Sequence, residues 1–144
     1  MKNIIMAGTL LCVSGLSWAG VVMDENIAQA KTASASLGKA LKSELVTAMQ
    51  SGGPVAAIEV CNLKAPGIAA KVSLQQDLDI YRVSLRNRNP ENIPNDWQTT
   101  VLQEFENRKA AGEALDNLAW SETAVVDGVN EFRFMQAIPT AAVC

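Results

Sequence analysis

The sequence predicts an α+β protein, and two observations predict that class. Apolar residues recur at helical spacing through most of the first half of the chain, between residues 24 and 72. The last third alternates on both sides of Asp127-Gly128, a strong two-residue hairpin turn signal. Long helices followed by a terminal antiparallel hairpin are typical of an α+β fold.

Residues 1–19 are predicted to be an export signal. Lys2 supplies a short positive start, and residues 4–16 form an apolar run too short to span a bilayer as a stable helix. Ser17-Trp18-Ala19 places small residues where a signal peptidase reads them. We therefore expect cleavage after Ala19 and a periplasmic protein.

The remaining residues, 20–144, are predicted to form a single domain with a hydrophobic core. The net charge of the whole chain is −3, and loss of Lys2 makes it more negative by one. A mildly acidic domain without a basic tract argues against a nucleic-acid-binding protein. No second apolar run of about 20 residues follows the signal, so no membrane span is expected in the rest of the chain.

Three helices are predicted in the first half. The first covers residues 24–51 and ends at Gly52-Gly53-Pro54, because glycine provides a left-handed cap and proline cannot continue a helix. Pro54 suits the first turn of a second, shorter helix that runs to Cys61, and a third helical piece follows Pro66. The apolar stripe of the first helix consists of Ile27, Ala30, Leu37, Leu41, Leu45 and Ala48.

The second half is predicted to contain a strand at residues 79–86, a loop, a helix and the terminal hairpin. The helix starts near Asn95, which with Gln98 forms a capping-box pattern, and it stops near Gly112. Its buried stripe is Trp97, Val101 and Phe105, with Leu102. The hairpin strands are residues 119–126 and 129–138.

The residue types exclude several kinds of site. The chain has no histidine, so neither a zinc site of standard composition nor a Ser-His-Asp or Cys-His arrangement can be built. There is no glycine-rich phosphate loop, since Gly52-Gly53 is better explained as a helix stop. We therefore predict that the protein is not an enzyme.

Cys61, at the end of a short apolar helix, has two interpretations. It is either a buried small hydrophobe or a soft thiolate ligand to a metal or haem iron. The only other cysteine after signal cleavage is Cys144. In an oxidising compartment, two cysteines often form one disulfide, so that pairing is a further alternative.

Arg82, Arg86 and Arg88 cluster positive charge in an acidic protein. On a continuing strand they would share one face, which could hold carboxylates bidentately. The alternative is a solvated face whose arginines pair with Asp79, Glu91 and other acids. Trp97, Trp120 and Met135 are interpreted as core residues.

Several segments together resemble a known family, the exported bacterial single-haem c-type cytochrome-like proteins, long carried as a domain of unknown function. Its members are exported proteins or sensor modules joined to signalling domains. The resemblance covers nearly all of the chain after the signal, and its most specific part is the arginine-asparagine-proline segment followed by Trp97. The matching stretches are residues 52–61, 65–69, 81–97 and 134–138.

The resemblance implies a PAS-like fold, an antiparallel sheet flanked by helices, that binds haem c. In that family the final strand leads into a CxxCH attachment motif, and Cys144 falls where its first cysteine belongs. The motif is incomplete in this chain, which implies either a fragment or a lineage that lost the haem. Cys61 matches the family's axial ligand, and Arg82, Arg86 and Arg88 become candidates for binding the haem propionates.

Our leading hypothesis is therefore a periplasmic haem-binding domain with a redox or small-ligand sensing role. A redox or signalling protein is the expected partner, and the long N-terminal helix could be the interface of a homodimer. The alternative is a haem-free interaction domain in which Cys61 and Cys144 form a disulfide or stay reduced.

Overall fold

The computed structural model of the protein describes residues 18–138. In that range the chain forms helices α1 (Trp18–Leu63), α2 (Ala65–Gln76) and α3 (Asp96–Ala110), followed by strands β1 (Ala119–Val126) and β2 (Val129–Gln136). This confirms the α+β class. The predicted export signal falls mostly before the described residues, and Cys144 falls after them. None of the helices within residues 18–138 is long and apolar enough to cross a membrane.

Helix α1 is folded back on itself at Gly53. That residue has φ 68° and ψ −160°, which interrupts the helix, and Pro54 begins the second arm. Two contacts show that the chain reverses: Lys64 Nζ lies 3.0 Å from Glu44 Oε2, and Gln29 Nε2 donates to the Gln76 carbonyl at 2.7 Å. The predicted break at Gly52-Gly53-Pro54 is confirmed, and residues 18–76 form what we call the helical hairpin.

The interior of the helical hairpin is built mainly from alanine. Leu37 and Val72 are its larger buried side chains, whereas others lie outside; Val55 is 78% exposed and Ile58 is 70% exposed. Of the predicted stripe, Ile27, Leu41 and Leu45 are only half-buried. Small buried residues let the packed elements approach one another closely. The buried residues are Ala30, Ala33, Leu37, Ala48, Ala57, Ala65 and Val72.

Helix α3 begins with the predicted capping box. The Asn95 side chain accepts from the Gln98 backbone N–H at 3.1 Å, and Gln98 Oε1 accepts from the Asn95 backbone N–H at 2.9 Å. Val101, Phe105 and Leu118 form the core beneath the helix. The partly buried residues packed against that core are Trp97, Leu115, Trp120, Met135 and Ala137. The prediction that Trp97, Trp120 and Met135 are core residues is confirmed.

The β-hairpin has the predicted two-residue turn. Asp127 has φ 51° and Gly128 has φ 81°, the two positive values that a type I′ turn requires. Strand β1 pairs antiparallel with β2, with Trp120 opposite Met135. Strand β2 ends two residues earlier than predicted, and beyond it the Ala137 N–H donates to the Leu118 carbonyl at 2.8 Å.

The prediction of a strand at residues 79–86 is wrong. The segment is irregular, because its backbone donors bond to local partners and not to a neighbouring strand. The Ile80 N–H donates to Ser73 Oγ and the Ser84 N–H donates to the Asn92 carbonyl, both at 3.0 Å. The sheet within residues 18–138 therefore has two strands, and the PAS-like architecture stays a prediction.

Candidate functional site

Cys61 lies near the end of the second arm of α1, and its thiol is exposed. The prediction of a buried small hydrophobe is therefore wrong. Ala57, one turn earlier, is buried against the first arm, whereas Ile58, three residues before the cysteine, is exposed. Cys61 thus stands at the edge between the packed and the solvent-facing sides of the arm, where a ligand or another protein can reach its sulfur.

A cavity of about 310 Å³ lies between the two arms of α1. Ala48 of the first arm and Val60 of the second line it, and the Lys64–Glu44 ion pair bridges its walls. A second cavity of about 350 Å³ is lined by five residues around the end of α2. Neither Cys61 nor any of the three candidate arginines is among the described residues that line these two cavities.

The three arginines lie on the irregular segment that follows α2. Arg82 is half-buried, while Arg86 and Arg88 are exposed. Within residues 18–138 no ion pair involves any of them, so the expected pairing with Asp79 and Glu91 is not formed there. Their guanidinium groups are available to an anionic ligand.

The arginine segment is held in place by hydrogen bonds to its own backbone and to α3. Gln98 Nε2 donates to the Tyr81 hydroxyl at 2.7 Å, and Gln98 is only 4% exposed. The Arg86 N–H donates to Ser84 Oγ at 3.1 Å. Buried polar groups are normally satisfied, and here Gln98 is satisfied by both the helix cap and the tyrosine. The Gln98 side chain therefore joins the start of α3 to Tyr81, which directly precedes Arg82 in the arginine segment (residues 81–88).

Two further arginine clusters, around Arg133 and Arg108, were not predicted from the sequence. Arg133 Cζ lies 4.9 Å above the centre of the Trp97 ring, which stacks on Trp120 at 5.6 Å. Hydrogen bonding to Glu131 raises the pKa of Arg133 most, burial opposes that rise, and Glu122 adds to it. The turn at Asp127-Gly128 fixes the register that places Glu122 opposite Arg133, so this pair could have been found from the sequence.

The second cluster joins α3 to the start of β1. Arg108 binds Glu113 through Nε at 2.7 Å and Nη2 at 2.6 Å, and it donates to the carbonyls of Asn117 and Ala119 at 3.3 Å. Hydrogen bonding to Arg108 lowers the pKa of Glu113, although burial opposes the shift. Arg108 and Arg133 already bind carboxylates of the protein, so we assign them a structural role.

The described residues include donors of the kinds that bind haem iron and propionates, but these donors line neither of the two cavities. Cys61 offers a reachable thiol three residues after the exposed Ile58, and the three candidate arginines form no ion pair within residues 18–138. Residues 18–138 contain no group of three or more His, Cys, Asp or Glu side chains that could hold a metal ion. Cys61 would therefore serve as a single ligand, and Cys144 lies outside the described residues.

Comparison with known proteins identifies the family. The family model Tll0287-like matches residues 18–144, which is nearly the whole chain. No curated protein and no solved structure matches the chain at a significant level. Because one family model covers far more than half of the sequence, the chain belongs to the Tll0287-like family.

Proposed function

We propose that the protein is a periplasmic haem-binding domain with a redox or small-ligand sensing role. Cys61 is the axial ligand of the iron, and Cys144 is the first cysteine of the covalent attachment motif. The observation that carries the proposal is the exposure of Cys61 at the edge of the helical hairpin. The PAS-like frame and the periplasmic location belong to the same proposal, and no residue is given a catalytic role.

The chemistry of the Cys61 sulfur favours sensing over fast electron transfer. A thiolate donates electron density to the iron and stabilises its ferric state, which lowers the reduction potential. Because the cysteine lies on a helix, its Cα is held by a regular backbone while its side chain reaches into solvent.

Arg82, Arg86 and Arg88 are the proposed propionate partners. Guanidinium groups bind carboxylates through two parallel hydrogen bonds, and these three are not engaged by acids among residues 18–138. Gln98 and Tyr81 hold the segment by the hydrogen bond between their side chains. A redox or signalling protein is the proposed partner.

The test is purification of the protein from its own host, which supplies the haem-maturation machinery and the natural gene at its full length. We expect a Soret band in the purified protein and a change in its position in Cys61→Ser, because the axial sulfur is lost. Arg82→Gln should lower the fraction of the protein that carries haem, whereas Lys109→Gln, which removes an exposed charge on α3, should not. Protein without Soret absorption would exclude the proposal, and an identical spectrum in Cys61→Ser would exclude that ligand.

A second candidate is a haem-free interaction domain. The exposed thiol of Cys61 favours it, because an exposed cysteine in an oxidising compartment readily forms a disulfide, here with Cys144. Thiol counting on the denatured protein distinguishes its two forms. No reactive thiol supports the disulfide, and two reactive thiols exclude it.

A further inference from the structure

The outer face of the first arm of α1 carries a row of small, charged and apolar residues that the helical hairpin leaves largely unpartnered. Its positions follow one another at alternating spacings of three and four residues, the spacing of a coiled-coil seam. The residues of this row between Asp24 and Lys42 are all exposed, while Leu45 is half-buried. The seam consists of Val21, Asp24, Ala28, Lys31, Ala35, Gly38, Lys42 and Leu45.

This seam is distinct from the face that packs against α2. Ala30, Ala33 and Leu37 are buried in the helical hairpin. Lys31 follows Ala30 directly and is exposed. At 3.6 residues per turn, one residue corresponds to about 100° around the helix. The seam therefore faces sideways, where neither α1 nor α2 covers it.

We propose that a second copy of this chain docks antiparallel on the seam. In that arrangement each seam residue lies opposite a chemically suitable one, with the two-fold axis at the level of Ala33. Asp24 of one copy meets Lys42 of the other, and Val21 meets Leu45. Ala28 lies opposite Gly38, and Lys31 lies opposite Ala35.

The charges of the seam favour a second copy of this chain as the partner, and they favour antiparallel over parallel helices. Within residues 18–138 no ion pair involves Asp24 or Lys42, so both charges are available. An antiparallel pair of seams forms two Asp24–Lys42 contacts, whereas a parallel pair in register would place like charges together. Charged residues at seam positions commonly set the orientation of paired helices.

The middle of the seam permits the close approach that the pairing needs. Gly38 has no atom within 4 Å of the place where a side chain would begin, and Ala28 and Ala35 are small. Lys31 can lie over Ala35 and extend its ammonium group to solvent, since long basic side chains cover apolar surface in this way. Small residues opposite one another bring the helix axes together.

The test is sedimentation equilibrium of the chain beginning at Gly20, in its haem-free form, because the dimer does not depend on the proposed haem role. We expect a dimer at low salt. Asp24→Lys alone and Lys42→Asp alone should each raise the dissociation constant at least about tenfold, or about 1.4 kcal/mol. The double variant, which exchanges the charges, should restore dimerisation.

Two more variants keep the result interpretable. Lys71→Asp changes an exposed charge on α2, away from the seam, and should leave the dimer unchanged. Gly38→Leu fills open space in a single copy, so the helix content measured by circular dichroism is retained while the dimer is lost. A wild-type chain that is monomeric at every concentration, or a dimer insensitive to both charge reversals, would overturn the proposal.

Discussion

At the scale of single residues, Gly53 decides whether the first half of the chain forms a hairpin or one straight rod. Its φ of 68° with ψ of −160° lies in a region that essentially only glycine occupies. Gly53→Ala should therefore destabilise the protein by roughly 1–3 kcal/mol. Urea unfolding followed by circular dichroism measures this loss.

The matched control is Gly38→Ala in the same helix. Gly38 has ordinary helical surroundings and open space around it, so alanine should stabilise the protein by about 0.5–1 kcal/mol. A Gly53→Ala variant that is as stable as the wild type would show that the hinge role of Gly53 is wrong.

Glu113 makes the stability depend on acid pH. Hydrogen bonds from Arg108 hold the pKa of Glu113 below its ordinary value of 4.5. Because the folded-state pKa is the lower one, the stabilisation is complete above the unfolded pKa and is lost as pH falls from about 4.5 through the folded value. Glu113→Gln should lower the urea midpoint at pH 7, and the difference from wild type should shrink as the pH falls below about 4.5.

The control for that experiment is Glu106→Gln. Glu106 lies 4.0 Å from Lys109 on the exposed surface of α3, where ion pairs contribute little. Its substitution should leave the midpoint unchanged at both pH values. A constant deficit of Glu113→Gln across the whole pH range would show that its ionisation is not what stabilises the contact.

At the scale of elements, the capping box controls the start of α3. Asn95→Ala removes the acceptor of the Gln98 N–H and should cost about 1 kcal/mol. The variant keeps the Asn95 backbone N–H that donates to Gln98 Oε1, but loosening of the first turn of α3 also loosens the Gln98 side chain, which donates to Tyr81. Amide hydrogen exchange should therefore increase both in the first turn of α3 and around Ser84. Exchange confined to the helix would contradict the link between α3 and the arginine segment.

The elements that could be predicted from sequence are those with local causes. The break at Gly53, the cap at Asn95 and the turn at Asp127 each depend on residues within a few positions. The strand predicted at residues 79–86 had no such basis, because alternation does not reveal whether a neighbouring strand exists. Its backbone N–H groups donate instead to the Ser73 hydroxyl and to the Asn92 carbonyl.

At the scale of the whole molecule, the candidate site depends on packing that sequence does not encode locally. Cys61 and the arginines could be chosen by chemistry and by the family resemblance. The exposure of Cys61 could not be foreseen, because it follows from how the second arm of α1 packs against the first. The same folding back buries Leu37 and Val72 but leaves Val55 and Ile58 outside.

The most direct test of the proposed function is the intact mass and visible spectrum of the protein purified from its own host. The proposal predicts a mass increased by one covalently bound haem, together with a Soret band that changes when Cys61 is replaced by serine. A polypeptide mass without haem and without Soret absorption, from cells that attach haem to other proteins, would contradict it.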